Sequence, residues 1–272
     1  MYRNTELVPE PVGVLVREWR ARHRRSQMDV ALAVGVSPRH MSFVETGRSR
    51  PSPATLLAIA EELRVPLRER NRMLLAAGYA PRFQECAIDA TEMADVREAL
   101  QRLLDAHHPY PGVVLDRRWN VLLANEAARA LVSLLPSALK VPTLNIFRAG
   151  LHPEGLAAIT CNFDDWGRYL MRQLADLTSD GTDTAAAALA LEVLTYPNVQ
   201  ALMAKGRTEA AAPKLLIPCV LDLPQGRVSM FTTLTTFGTP RDVTLEELCV
   251  ELFYPSDQTS AALLRQAAVA RS

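Results

Sequence analysis

The sequence predicts an α+β protein in two parts: a head of five short helices, then a body of five short strands with flanking helices. Three observations carry this. Apolar residues recur at three- and four-residue steps through the first eighty positions, the spacing of one helix face. Past residue 107, short apolar runs bounded by turn residues alternate with helical stretches, as strands do. Charge divides near the same place: residues 1–80 hold thirteen arginines, no lysine and eight acids, and the remainder holds seventeen basic and twenty-two acidic residues. A net charge of zero therefore hides a basic head and an acidic body, confining any affinity for phosphate to the N-terminal part.

A chain of 272 residues, 49% of them hydrophobic, is long enough for two domains with real cores and too apolar for disorder. Cys86, Cys161, Cys219 and Cys249 are widely separated and match no metal-ligand spacing. Reduced thiols, with no metal and no cofactor, are expected. The N-terminus, MYRNTELVPEPVG, lacks an apolar signal core, and no apolar run approaches membrane-spanning length. A soluble cytoplasmic protein with no membrane partner is the expectation.

Val12 to Arg24 reads as the first helix, with Val12, Leu15, Val16 and Trp19 on one face. Ser26 caps a second, Gln27 to Val34. Gly35 and Val36 turn the chain, and Ser37 caps a third helix running to Thr46, with Pro38 at its first position, where a missing N–H costs nothing. Val30, Ala31, Val34, Met41 and Val44 point inward. Ala31 is small enough for a close helix crossing, and Gly35 admits the positive φ of the turn. Arg48, Ser49 and Arg50 form a basic loop, followed by helices over Pro53–Leu63 and Pro66–Ala77; Gly78 ends the last.

The set Gln27, Ala31, Gly35, Met41, Val44, Glu45 and Gly47, followed by Arg50-Pro51-Ser52, resembles the Xre-type, lambda-repressor-like helix-turn-helix DNA-binding domain. The resemblance implies double-stranded DNA as partner. It implies that Arg20 pairs with Glu45, against the alternative that Arg20 meets phosphate. Gln27, at a helix N-terminus, would take a phosphate. Pro38, Arg39, His40, Ser42 and Phe43 form the outward side of the recognition helix. Arg39 suits a bidentate contact to guanine, and Phe43 is either a thymine-methyl contact or a packing residue. His40 meets backbone phosphate or solvent, while Arg48 and Arg50 lie on the sugar-phosphate backbone.

Residues 1–80 form the expected head, 81–106 a linker and connecting helix, and 107–272 the body. In the connecting helix, which begins at Thr91, Met93, Val96, Leu100, Leu103 and Leu104 make a stripe that packs on its own domain or on a second copy. Strands are expected over Gly112–Leu115, Asn120–Ala124, Leu215–Leu223, Arg227–Thr236 and Leu248–Phe253. A polar turn at Asp116-Arg117-Arg118 joins the first pair, and a hairpin turn at Pro224-Gln225-Gly226 joins the third strand to the fourth. Helices follow from Asn125, from Thr184 as a cap, and over the tail from Asp257 to Ala268. A flexible break is expected at Gly181 to Asp183 and an exposed loop over Lys205 to Pro213.

The runs NIFRAGLHPEGL, NFDDWGRYLMRQL, LTYPNV and FTTLTTFGTPRDVTLEELCVELFYPSD resemble the MmyB-type ligand-binding domain, which follows Xre-type heads in many bacterial regulators. That resemblance implies a PAS-like body with a five-stranded antiparallel sheet and a small apolar ligand with fatty acids the leading class; a homodimer, placing two recognition helices in successive major grooves, is expected. Asp116 and Asn125 stand where PAS sequences often carry such residues. Trp119, Phe163, Trp166, Tyr169 and Phe231 are the aromatic candidates for a pocket, with ordinary core packing as the alternative for each. His152 and Asn162, with Arg168 and Arg172, are the candidates for a polar anchor, although His152 in its LHP setting also suits a loop hydrogen bond.

No phosphate-binding glycine loop, zinc-type His-Glu-x-x-His or serine elbow occurs. His107-His108 and Asp164-Asp165 are sequence neighbours, which point apart on regular elements. A non-enzymatic regulator is expected, either sensing a ligand or using its body only for dimerisation or partner binding.

Overall fold

The computed structural model describes residues 10–179, 183–206 and 216–270. Two compact units emerge: the described residues up to Cys86 with Gly238–Glu246, and Ala87–Phe237 with Glu247 onward.

The first unit holds α1 (Val12–Arg22), α2 (Gln27–Ala33), α3 (Pro38–Glu45), α4 (Pro53–Glu62) and α5 (Leu67–Ala76). The expected inward residues form one core, with Leu15, Val16, Val30, Ala31, Met41, Val44, Leu56 and Ile59 at most 2% exposed. Ser26 caps α2 in a reciprocal capping box with Asp29, and the Ser37 and Ser52 hydroxyls accept from His40 N and Thr55 N. Gly35 and Gly47 take φ +72° and +73° at the ends of α2 and α3. Gly13 meets a different demand. A Cβ there would lie 2.5 Å from the Val44 carbonyl oxygen and 2.6 Å from that of Glu45, so α1 crosses the end of α3 at backbone contact.

The second unit begins with α6 (Ala94–Ala106), β1 (Gly112–Leu115), β2 (Val121–Ala124), α7 (Glu126–Ser133) and α8 (Ile146–Leu151). It continues with α9 (Phe163–Thr178), α10 (Thr184–Val193), α11 (Pro197–Ala204), β3 (Cys219–Leu223), β4 (Gly226–Thr236), β5 (Cys249–Pro255) and α13 (Gln258–Val269), while the short α12 (Val243–Glu247), all but its last residue, belongs to the first unit. The five strands form one antiparallel sheet in the order β2-β1-β5-β4-β3. Because pleated residues alternate, the register that sets Glu251 opposite both Val113 and Leu234 puts these three on one face, with Cys249, Phe253, Met230 and Thr232. Met230, Val228, Leu221 and Cys219 of that face pack with Phe147, Leu151, Trp166, Leu170 and Leu174 of α8 and α9.

Two buried amides weld this unit together. The Asn125 side chain, 1% exposed, accepts from Gly112 N and Ala128 N and donates to the Leu104 and Tyr110 carbonyls. Asn145 caps α8 and donates to the Arg118 carbonyl and to Asn120. Between β1 and β2, Asp116 accepts from Arg118 N, Asn120 N and the Asn120 amide, an Asx-type turn that leaves Trp119 at φ +63°.

Several boundaries differ from the expectation. Asn120 makes only an isolated bridge to Asn145, so β2 starts at Val121. The third strand starts at Cys219, where the ladder with β4 begins; the Pro218 carbonyl just before it accepts from Asn162, which also accepts from Val220 N within the strand. The β3–β4 loop is two residues, since Leu223 already pairs with Gly226. Asp183, not Thr184, caps α10, its carboxylate accepting from Ala185 N and Ala186 N while Arg117 and Arg118 pair with its other oxygen. Met93, just before α6, and Leu100 and Leu104 within it are buried, but Leu103 is 41% exposed. The expected break at Gly181 and most of the expected loop from Lys205 to Pro213 lie outside the described residues.

Gly238–Glu246 was read from sequence only as a family run; the structure makes it part of the first unit. Asp242 bridges to Gln84 and accepts from Cys86 N, Val243 N donates to the Gln84 carbonyl, and a Glu246 oxygen lies 2.6 Å from Leu67 N. Pro66, at the cap position of α5, has no side-chain acceptor, so Glu246 serves as the cap from far along the chain.

Candidate nucleic-acid interface and ligand-binding body

The geometry of α2 and α3 is set by an ionic knot beneath them. Arg20 on α1 donates from Nε to Glu45 Oε1 at 2.6 Å and from Nη2 to Oε2 at 3.0 Å, and its third nitrogen donates to the Arg25 carbonyl. The Glu45 side chain is 3% exposed, and the hydrogen bond and charge of that carboxylate raise the Arg20 pKa, so Arg20 stays charged. Gln27 joins the knot, donating its amide to Glu45 Oε2 at 2.7 Å. The amide proposed for phosphate is thus held by Glu45. What Gln27 still offers is its place at the first turn of α2, the positive end of the helix dipole, ahead of the Asp29 N–H that the Ser26 hydroxyl takes.

On the outward side of α3, Pro38 and Arg39 are exposed, and His40, Ser42 and Phe43 are partly exposed. Phe43 is neither core nor free: the Arg39 guanidinium lies 5.3 Å from its ring centroid and that of Arg48 6.0 Å. The ring therefore steadies two cations at the surface. Among the described residues no carboxylate pairs with Arg39 or Arg48. Arg50 differs. It donates to the Gly78 carbonyl at 2.8 Å and stacks on Tyr79 at 4.1 Å, tying the loop to the end of α5.

In the body, Trp119, Phe163, Trp166 and Tyr169 converge on one apolar cluster, with Trp166 stacked on Tyr169 at 4.9 Å and Trp119 against Phe147 at 4.8 Å. Phe231 is not with them. It alternates with Met230 and Thr232 onto the opposite sheet face, where it stacks on Tyr254. His152 accepts from Glu154 N through Nδ1 and meets the Tyr196 ring edge-on, a loop-holding role. Asn162 spends both ends of its amide on the backbone of 218–220. Arg168 donates to the Leu202 carbonyl, and Arg172 lines a shallow depression with Met171 and Met203. Two apolar concavities are lined by other residues: about 370 Å³ between α6 and the outer sheet face at Val96, Leu103, Phe237 and Val250, and about 260 Å³ between α7, α13 and the β3–β4 loop.

The polar residue that sequence reasoning missed is Glu251. It is 1% exposed on the central strand β5, and among the described residues its Oε2 has no hydrogen-bond partner. Burial pushes its carboxyl up to about 7, against the opposing effect of a Thr232 hydrogen bond. Burial and the nearby Glu251 carboxylate also raise Tyr169 and Cys249, and push Cys219 up to about 12. The signal was available in CVELFYP, where period-two alternation puts Glu251 on the same face as Cys249 and Phe253.

Residues 11–73 match the model of a helix-turn-helix domain, and residues 96–267 match that of the MmyB-like transcription regulator ligand binding domain. No curated protein matches the chain. Among solved structures, the clp gene regulator ClgR from Corynebacterium glutamicum is 27% identical, over 38% of this chain and 96% of that one, with a TM-score of 0.23. An RNA-binding light-oxygen-voltage receptor is 14% identical, over 99% of this chain and 70% of that one, with a TM-score of 0.25. Such low TM-scores carry no argument about this fold. Among the described residues no helix is long and apolar enough to cross a membrane, and no cluster of side chains suits a metal ion. With the larger domain model spanning most of the chain behind a helix-turn-helix head, the protein belongs to the MmyB-like transcription regulators: it is a DNA-binding regulator with that family's ligand-binding domain.

Proposed function

We propose that the protein is a sequence-specific, ligand-controlled regulator acting as a homodimer. Two copies of α3 enter successive major grooves, at half-sites about 10 bp apart or a multiple of that spacing. Arg39 reads a guanine, Ser42 and Phe43 face the bases behind it, and Pro38 and His40 line the same side. Gln27 and Arg48 set the register on phosphates. The observation that carries this reading is the outward face of α3, where Arg39 and Arg48 flank Phe43 without a carboxylate partner among the described residues.

The body senses a small apolar ligand bound among Trp119, Phe163, Trp166 and Tyr169. Fatty acids are the class that the family resemblance puts first. The ligand shifts the heads only by its differential affinity for their two arrangements. A second reading, in which the body only dimerises, has its own support in the apolar groove along α6, where Leu103 is 41% exposed.

The test is fluorescence anisotropy of the full chain on a selected operator and on random DNA at moderate salt, with and without candidate ligands. Preference for the operator that changes with ligand is the expected result. Equal affinity for both DNAs under every condition would remove the proposal. Operator preference with no response to any ligand would favour the dimerisation reading.

A further inference from the structure

The sheet has two edges, and the fold covers most of both. Along β2, Val121 N donates to the Leu144 carbonyl and Asn120 bridges to Asn145. Along β3, Cys161 N donates to the Val220 carbonyl, the Asn162 side-chain oxygen accepts from Val220 N, and Thr160 bridges to Leu221. Where β3 stops, the cover stops. Its residues pair with Gly226–Met230, while β4 runs on to Thr236 with β5 as its one partner strand among the described residues. Leu223 and Gly226 close a two-residue loop and Ser256 N donates to the Ser229 carbonyl, so the even-numbered residues of β4 point their N–H and C=O groups away from β5. Those of Thr232, Leu234 and Thr236 therefore line a bare edge. Lysine, proline and bulges are the usual means of blunting such an edge. Residues 228–239, VSMFTTLTTFGT, hold no charge and no proline, and the β4–β5 register runs without a bulge. Leu234 is 45% exposed, and Thr233, Thr235, Thr236 and Phe237 are exposed with it.

We propose that this edge is where two copies of the body meet: the free half of β4 pairs antiparallel with the same segment of a second chain, about a two-fold axis at Leu234, and the two sheets become one. The inference rests on the homodimer reading and gives that dimer its contact. The segment is complementary to itself. With the axis at Leu234, Thr232 faces the partner's Thr236 and Thr236 the partner's Thr232. Each of the three facing pairs exchanges two backbone hydrogen bonds, about six in all. Leu234 meets its own copy, which covers an apolar side chain that the single body leaves in solvent. On the other sheet face Thr233 meets the partner's Thr235, and Phe231 lies across from the partner's Phe237. Cross-strand pairs of β-branched and aromatic residues stabilise such a ladder, and with no charge in the segment no like charges oppose each other. The two-fold axis also closes the assembly, because the contact uses the same edge on both bodies.

The test is sedimentation of the full chain over a concentration series, free and on operator DNA, with amide hydrogen exchange read on the same samples. The native chain should dimerise, and the amides of Thr232, Leu234 and Thr236 should be protected in the dimer alone. Those of Thr233 and Thr235, turned toward β5, should exchange slowly in monomer and dimer alike. Leu234→Lys sets two ammonium groups face to face at the axis and should raise the dimer dissociation constant at least tenfold. Leu103→Lys, in the α6 groove, should leave it within a few-fold. Undiminished dimerisation by a folded Leu234→Lys would overturn the proposal, and so would edge amides that exchange alike in monomer and dimer; either result leaves the homodimer reading standing with its contact elsewhere. If Leu234→Lys does not fold, the exchange pattern of the native chain decides. A native chain that stays monomeric under every condition would overturn the homodimer reading itself, and this inference with it.

Discussion

Arg20 and Glu45 form a two-pronged ion pair that joins the first helix to the last residue of the recognition helix, and Gln27 adds a third bond to the same carboxylate. The Glu45 side chain is 3% exposed, so its charge depends on these partners. Arg20→Ala should cost about 3–5 kcal/mol of stability in urea unfolding, the usual penalty for stranding one member of a buried pair. An unchanged unfolding midpoint with weaker binding to all DNAs would instead make Arg20 a phosphate contact.

Gly13 permits the crossing that this pair fastens. Gly13→Ala puts a methyl group 2.5 Å from the Val44 carbonyl oxygen, and backbone on both sides leaves no flexible atom to yield. A loss of about 1–3 kcal/mol is expected, as for other overpacked sites. Operator affinity should fall with it, because α3 is the element displaced. A variant as stable as the native protein would show that α1 slides freely over α3.

Three arginines near the recognition helix should separate by role. Arg39→Ala is expected to cost about 1–3 kcal/mol at one operator position and to relax preference there. Arg48→Ala should weaken binding to every sequence alike and lower the salt slope by about one. Arg50→Ala should act first on stability, because Arg50 is bonded to Gly78 and stacked on Tyr79. Binding to operator variants at two salt concentrations, with thermal melts, distinguishes the three. A uniform loss from Arg39→Ala would demote it to a phosphate contact.

Glu251 makes stability depend on pH. Its carboxyl rises from an ordinary 4.5 to about 7 in the folded chain, which therefore holds the proton more tightly than the unfolded chain does. That contribution is complete below about pH 4.5 and is lost as pH rises through about 7, a change on the order of 3 kcal/mol. Tyr169, Cys219 and Cys249 stay neutral through this window, since their pKa values are raised above already high ordinary values. Unfolding free energy measured from pH 5 to pH 8 should fall in the native protein, and Glu251→Gln should remove most of the slope. Equal slopes would mean that the carboxyl is solvated.

Local signals accounted for most of the fold. Helix starts at Ser26 and Ser37 and the turn at Gly35 were legible because capping and positive φ act within a few residues. Strand positions were legible from apolar runs, and β1 in full, but the starts of the second and third strands were not. Asn120 and Pro218 carry strand-like neighbours, yet Asn120 spends its hydrogen bonds on the Asp116 turn and on Asn145, and the Pro218 carbonyl accepts from the distant Asn162. The site divided in the same way. The outward residues of α3 follow from helical phase alone. Phe231 was grouped with Trp166 and Tyr169 by residue type, and only the ladder of β4 with β5 shows that it faces the other way.

The sequence by itself determined a basic helix-turn-helix head, an acidic strand-containing body and the face of α3 turned outward, because periodicity, capping and charge are written within single elements. Only the tertiary structure decided that Gln27 and Arg50 are held by Glu45, Gly78 and Tyr79 and that residues 238–246 complete the head. It alone decided, too, that Glu251 is buried with an unmade bond. Each of these depends on which distant groups meet across the core, where desolvation and a single hydrogen-bond partner set the energy of a side chain, and no local pattern encodes that meeting.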